Sequence, residues 1–193
     1  ILLAIFSGYA LSRFHRRGRK SIFTSILITQ MFPLPMFLIT FYIMFMRLKL
    51  LNSYTGLIVA YTSFSLPFCI WMIKGFFDKI PIELEEAALI DGCNRMSALW
   101  RVVIPLVSPG IVAIGIFAFL SAWDEFMFAL TLMSQDAMRT LPPGIVLSFV
   151  GEFDVRWEDM MAASVVATLP VLVVFLMLQK YLVEGLTAGA VKG

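Results

Sequence analysis

The residues of this chain able to do chemistry gather in two places. One is Trp123-Asp124-Glu125, an acid pair inside a long apolar run. The other is residues 80–105, I-P-I-E-L-E-E-A-A-L-I-D-G-C-N-R-M-S-A-L-W-R-V-V-I-P, with Glu83, Glu85, Glu86 and Asp91. Ionisable groups deep in an apolar segment are costly and face a cavity or a partner. Asp124 and Glu125 therefore suit a polar solute or an ion, or else an interface where the cost falls. Little else offers chemistry. His15 is the only histidine, and Cys69 and Cys93 lie in separate kinds of segment, so neither a metal cluster nor a disulfide is expected. No Ser/His/Asp or Cys/His set can be assembled. No Gly-rich phosphate loop is present, so the chain is not expected to bind ATP by a P-loop.

The elements that hold these residues follow from composition. The chain is 60% hydrophobic with mean hydropathy +0.90, against about 45–50% apolar for a soluble domain. The charged residues sit in gaps between apolar runs, which reads as an all-α, polytopic transmembrane helix bundle in one domain, residues 1–193. The net charge of +2 gives no sign of a nucleic-acid partner. Complete spans are expected at about 21–46, 55–77, 106–133 and 160–182. Residues 1–11 are too short to cross alone, since a crossing needs about 20 apolar residues. They read as the last half of a span whose earlier part is absent.

Within the spans, Pro33 and Pro35 should bend or break the first, and Pro67 and Pro170 should kink later ones. Gln30 is the most polar residue inside the first span. Tyr61, Thr62, Ser63 and Ser65 form a polar stripe on the second, suited to hydrogen bonds between helices. Asp124 falls roughly 27 Å along the third, counting about 1.5 Å per residue. The loop 134–159 holds Asp136, Glu152, Asp154, Glu158 and Asp159. It opens with Leu141-Pro142-Pro143-Gly144, read as a turn, and Gly151 interrupts it later.

Lysines and arginines set the orientation. Arg13, Arg16, Arg17, Arg19, Lys20, Lys74, Lys79, Arg95, Arg101, Lys180 and Lys192 fall on one set of loops. Arg47, Lys49, Arg139 and Arg156 fall on the other. Eleven against four places residues 79–105 and the C-terminus in the cytoplasm and loop 134–159 outside.

Residues 80–105 read locally as helix, tight turn, helix. Pro81 suits a first turn, where its missing N–H is not needed, and the glutamates suit the positive end of the helix dipole. Ile80, Leu84, Ala87 and Ala88 share one face at helical spacing. Asp91-Gly92 stops the helix. Asn94 caps a second one carrying Met96, Leu99, Trp100 and Val103, which Pro105 ends.

Glu86-Ala87-Ala88, Asp91-Gly92 and Ile104-Pro105, lying between two apolar spans, resemble the EAA loop of bacterial ABC importer permeases. That resemblance implies the type I permease fold, with 79–105 as a cytoplasmic coupling loop docking on an ATP-hydrolysing partner. The coupling residues would be Glu85, Glu86, Ala87, Ala88, Asp91, Gly92 and Pro105. Trp123-Asp124-Glu125-Phe126 resembles the A-W-N-E-F of carbohydrate-importer permeases, with Asp124 where asparagine is common. The tail Gly185-Leu-Thr-Ala-Gly-Ala-Val-Lys-Gly193 resembles the end of the same subfamily, and Gly8-Tyr-Ala-Leu-Ser-Arg-Phe14 extends the likeness to the start of the chain.

The implied protein is a membrane subunit of a sugar importer like the maltose-type second permease, in a bacterial or archaeal inner membrane. Its partners would be a second permease, an ATPase dimer carrying the ATP and Mg, and an external sugar-binding protein. No cofactor and no enzyme activity are expected of the chain itself. Gln30, Tyr61, Trp123, Asp124 and Glu125 are candidate pathway residues. Pro143, Gly144, Gly151 and Glu152 are candidates for contact with the binding protein. Other readings are an ABC importer of a non-sugar solute, an ion-gradient-driven transporter using Asp124 and Glu125, and a membrane-embedded enzyme.

Overall fold

The computed structural model describes residues 1–14, 17–151 and 154–190, with side chains up to Gln179 in the last helix. Helices dominate. They are α1 Leu2–Arg13, α2 Arg19–Ile28, α3 Leu38–Arg47, α4 Tyr54–Phe77 and α5 Ile82–Ile90. Then come α6 Arg95–Leu106, α7 Ser108–Trp123, α8 Met127–Leu132, α9 Leu141–Phe149 and α10 Trp157–Ala190. Among the described residues, α4 and the Trp157–Gln179 part of α10 are each long and apolar enough to cross a membrane. The count rises to four if α2 with α3, and α6 with α7, each make one broken span.

Several breaks differ from the expected spans. Residues 21–46 do not form one helix. The chain leaves α2 through 3-10 turns at Thr29–Met31 and Leu34–Phe37, with Pro33 extended between them. Two prolines within three residues remove two donors from the ladder, which α-helix cannot absorb. Residues 106–133 also divide. α6 runs on through Pro105 to Leu106, meets α7 at 77°, and α7 stops at Trp123. Pro105 thus does not end its helix. The preceding stretch Leu99–Val103 widens into a π-helix, where Ile104 N–H donates to the Leu99 carbonyl. The wider turn lies over the carbonyl that the Pro105 ring would otherwise meet. Pro67 and Pro170 are accommodated inside α4 and α10.

Two compact units are present. One comprises Ile1–Thr29, Leu66–Ala118 and the chain from Met177. Its core joins Ile5 and Tyr9 of α1, Ile70, Ile73 and Phe77 of α4, Leu99 and Val103 of α6, and Ala113 and Ile114 of α7. Phe68 and Phe117 face one another with centroids 4.1 Å apart. Small residues permit this closeness, as they do wherever helices meet in lipid: a Cβ on Gly110 would sit 2.4 Å from the Phe76 ring.

The other unit comprises Gln30–Ser65 and Phe119–Leu176. Its centre is a cluster of rings, Phe41, Phe45, Phe64 and Phe128, with centroids 4.7 to 5.6 Å apart. Ser63 and Ser65, expected to bond between helices, donate instead to Val59 and Tyr61 carbonyls of their own helix, at 2.7 and 2.9 Å. A serine hydroxyl satisfies itself on the preceding turn without needing a neighbour.

Gly110→Ala and Gly56→Ala should each lower the thermal unfolding midpoint in detergent, one per unit. Overpacking of this kind costs about 1–3 kcal/mol; a Cβ on Gly56 would lie 2.2 Å from the Leu50 carbonyl oxygen. Gly75→Ala, with nothing within 4 Å of its Cβ position, should leave the midpoint unchanged.

Candidate functional site

The hairpin α5–α6 is built by its caps. Pro81 is the N-cap residue of α5, extended at φ −56°, ψ 133°, and Glu83 and Glu85 occupy the first turn. The helix ends in a paired closure. Gly92 N–H reaches the Leu89 carbonyl at 3.1 Å and Cys93 N–H the Ala88 carbonyl at 3.0 Å. This Schellman pattern requires a left-handed residue after the cap, and Gly92 supplies it at φ +91°. Asn94 Oδ1 then accepts Ser97 N–H at 2.8 Å and starts α6.

The hairpin has two faces, and their assignment corrects the sequence pattern. Of Ile80, Leu84, Ala87 and Ala88, only Ala88 is fully buried; Leu84 and Ala87 are exposed. The inward position is taken by Glu85, 3% exposed. Its Oε1 accepts the Tyr9 hydroxyl, and its Oε2 accepts Arg13 Nε at 3.1 Å. Arg13 Nη2 also donates to the Ile80 carbonyl at 3.0 Å. A carboxylate enters an apolar core only with such partners. Beside it, Ser12 Oγ donates to Asp78 Oδ1 at 2.7 Å, and Lys74 pairs with Asp78.

The other face carries Glu86, Ala87, Asp91 and Gly92, all exposed, with Ile82, Leu84, Ile90 and Met96. Ile90 is 85% exposed. Pro105 is also exposed, at the far end of α6. Both cysteines are free.

The pathway candidates do not form one set. Gln30 Nε2 donates to the Phe64 carbonyl at 2.9 Å, where α4 passes the broken first span. Glu125 is a structural cap: its two oxygens accept Phe128 N–H at 2.8 Å and Ala129 N–H at 3.0 Å, starting α8. The buried Tyr61 hydroxyl lies beside Glu125 and Thr140 without a hydrogen bond of normal geometry. Asp124 alone of the acid pair is exposed. With Trp123 it borders an open cavity of about 530 Å³, lined also by Leu141, Pro142, Met160 and Thr168.

Loop 134–159 is not a plain connector. Leu141-Pro142-Pro143-Gly144 opens α9 instead of forming a turn, because proline fits a first helical turn as well as it fits a bend. Pro143 is fully buried and Gly144 lies within the helix. Gly151 N–H reaches the Asp154 carbonyl at 2.8 Å in a tight return. Glu152, a candidate contact residue, lies outside the described residues.

Two groups escaped the sequence reading. Tyr9 and Arg13 are i,i+4 on α1 and so share a face, a spacing visible in the sequence. Asn52 lies in the short loop between α3 and α4. At φ +52° it accepts Ser134 N–H at 2.7 Å and Gln135 N–H at 3.1 Å, while its own N–H reaches the Leu132 carbonyl.

The family model described as "Binding-protein-dependent transport system inner membrane component" matches residues 1–187. The chain belongs to this family. It is 46% identical over 193 residues to the sulfoquinovosyl glycerol transport system permease protein SmoH of Agrobacterium fabrum, covering all of this chain and 67% of that one. It is 36% identical over 194 residues to the trehalose/maltose transport system permease protein MalG of Thermococcus litoralis, covering all of this chain and 69% of that one. A crystal structure of a bacterial ABC transporter involved in the import of the acidic polysaccharide alginate contains a chain that superposes with a TM-score of 0.79. That match has 26% identity and covers 94% of this chain and 69% of the other. The permease is therefore a membrane transport component.

Glu85→Ala in this permease removes the anion from beside the buried Arg13 guanidinium, which keeps its bond to the Ile80 carbonyl. Loss of one partner of a buried pair costs about 3–5 kcal/mol. The thermal midpoint should fall sharply, and adding Arg13→Ala should lower it by much less than the single Arg13→Ala change does. Additive losses would show that the pair is not coupled.

Proposed function

We propose that this permease is one of two membrane subunits of an ATP-driven, binding-protein-dependent sugar importer, and that α5–α6 is its coupling hairpin. The observation that carries this is the exposed apolar and small-residue face, Leu84, Ala87, Ile90 and Gly92, on a hairpin whose other face is fixed. A contiguous exposed apolar patch marks a surface that a partner covers. Sugar as the solute is supported by the relatives at 46% and 36% identity, a sulfoquinovosyl glycerol permease and a trehalose/maltose permease.

In this reading Glu86, Ala87, Asp91 and Gly92 meet a cytoplasmic ATPase dimer, which holds ATP and Mg. Ala88 packs the hairpin and Glu85 anchors it. Pro105 shapes the far end of α6 and is not part of the docking face. The excess of lysine and arginine on the hairpin's side supports a cytoplasmic hairpin and C-terminus. A second permease completes the pathway, and an external binding protein delivers the sugar. Trp123 and Asp124, at the open cavity, are the stronger pathway candidates of this chain. Gln30, Tyr61 and Glu125 serve the fold. Pro143, Gly144, Gly151 and Glu152 belong to the region facing the binding protein, with Pro143 acting as buried support.

Coupling is two-state gating. Closing of the ATPase dimer displaces the hairpin and opens the bundle outward, and hydrolysis reverses it. A ligand biases such a switch only through different affinity for the two states, so hairpin and external loop are the two levers. The ion-gradient reading fares worse, because Glu125 is already spent on two backbone amides.

Gly92→Pro tests the assignment. Proline fixes φ near −65° and removes the N–H that reaches Leu89. In the reconstituted complex, ATP-dependent uptake should be lost, while the variant still inserts in the membrane. Gly92→Asn, which tolerates a left-handed conformation, should retain most uptake. Normal substrate-stimulated ATPase activity and uptake in Gly92→Pro would refute the coupling role. Uptake without nucleotide by the permease alone would point instead to a gradient-driven transporter.

A further inference from the structure

We infer that Glu85 is a positioning residue that latches the coupling hairpin to the end of α1, so that the two travel as one body during transport. The inference rests on the coupling role proposed above and adds where the hairpin's displacement goes.

The C-terminal end of α1 and the residue after it make five contacts with the hairpin and the turn that leads into it. Tyr9 and Arg13 both bind the Glu85 carboxylate, on α5. Arg13 reaches the Ile80 carbonyl, at the entrance to α5. Ser12 binds Asp78, just after α4. Phe14, which follows α1, lies under the Arg95 guanidinium at 5.6 Å, at the start of α6. The join is also closely packed: the Tyr9 ring meets Phe77 edge-on at 5.7 Å, and a Cβ on Gly8 would sit 2.5 Å from Ile73 Cγ2.

This geometry assigns opposite tasks to neighbouring acids. Glu86 faces out, where a partner docks. Glu85, one residue earlier and therefore about 100° around the helix, faces α1. Separating this pair within the core would leave the buried Glu85 carboxylate without the cation that offsets its burial. A push on the outer face is therefore relieved more cheaply by moving α1 with the hairpin than by opening the join. The hairpin is also joined to α4 and α7, but these are its neighbours along the chain and need no side-chain latch. α1 is distant in sequence and is joined by these contacts.

The test uses the assembled transporter with its ATPase, second permease and binding protein in proteoliposomes. Glu85→Gln keeps the shape and removes the charge. ATPase retained through purification should match the unmodified protein, while sugar taken up per ATP hydrolysed should fall about five-fold or more, the lower end of measured coupling between sites. A merely structural role would lower assembled yield and leave that ratio unchanged, which would overturn the inference. Loss of the ATPase in Glu85→Gln would also overturn it, by making Glu85 a docking residue.

A second measurement does not depend on that variant folding. Ser12→Cys with Asp78→Cys, in a Cys93→Ser background, can be cross-linked with copper–phenanthroline. A disulfide should form in the resting transporter and leave ATP-driven uptake intact, because the latch stays closed throughout. Failure to cross-link, or uptake abolished by the cross-link and restored by reductant, would show that α1 parts from the turn that leads into the hairpin and would overturn the inference. If the unmodified complex retains no ATPase or shows no ATP-dependent uptake, the importer reading fails and the latch role falls with it. That failure is distinguishable because it appears without any substitution.

Discussion

The buried carboxylate of Glu85 constrains much of the first unit. A charge in an apolar interior must be paired and hydrogen-bonded or it unfolds its surroundings. Glu85 therefore obliges a tyrosine and an arginine one helical turn apart on α1. That in turn fixes which side of α5 can face outward. The remaining acids and small residues of the hairpin are exposed because this one position is not. Hydrophobic burial would hold the helices together in many rotations about their axes; the ion pair selects one.

Turn chemistry then fixes the angle between α5 and α6. The Schellman closure at Gly92 and the Asn94 cap lie two residues apart, so the hairpin bends within a very short link. A link that short transmits displacement from one helix to the other with little slack. The π-turn at Leu99–Val103 and the bend at Val107 follow, where α6 hands over to α7. Irregular backbone thus follows the hairpin turn, as it also interrupts the first span at residues 29–37.

The sequence was most legible where one residue type has a single physical use. Gly92 after a helix, Asn94 before one, and the pair Pro33 and Pro35 inside an apolar run each predicted their local geometry. It was less legible where two uses compete. Pro142-Pro143 fits a turn or a first helical turn, and the choice was made by burial of Pro143, a tertiary fact. Ser63 and Ser65 could bond across helices or back onto their own, and the nearer acceptor won. The apolar pattern of α5 pointed to the wrong buried face, because periodicity weighs Leu84 above Glu85 and cannot know that Tyr9 and Arg13 await it more than seventy residues earlier in the chain. The family, by contrast, was readable from motifs spaced along nearly the whole chain, and the family model matches residues 1–187.

The same division of labour recurs at the second acid pair, and it limits what an acid in a membrane helix can be taken to mean. Asp124 and Glu125 were adjacent candidates for one site, yet only one is available. Glu125 closes the start of α8, where the first amides of a helix have no partner within it. A transported cation would have to share a carboxylate whose two oxygens already hold backbone amides. Asp124 makes no such contribution and stands at the edge of an open cavity beside Trp123. Structure thus takes the inner member of each pair, Glu85 and Glu125, and leaves the outer one, Glu86 and Asp124, free to meet something else. Where helices break or turn inside an apolar protein, backbone demand is met first, and function falls to whichever polar side chain the backbone did not need.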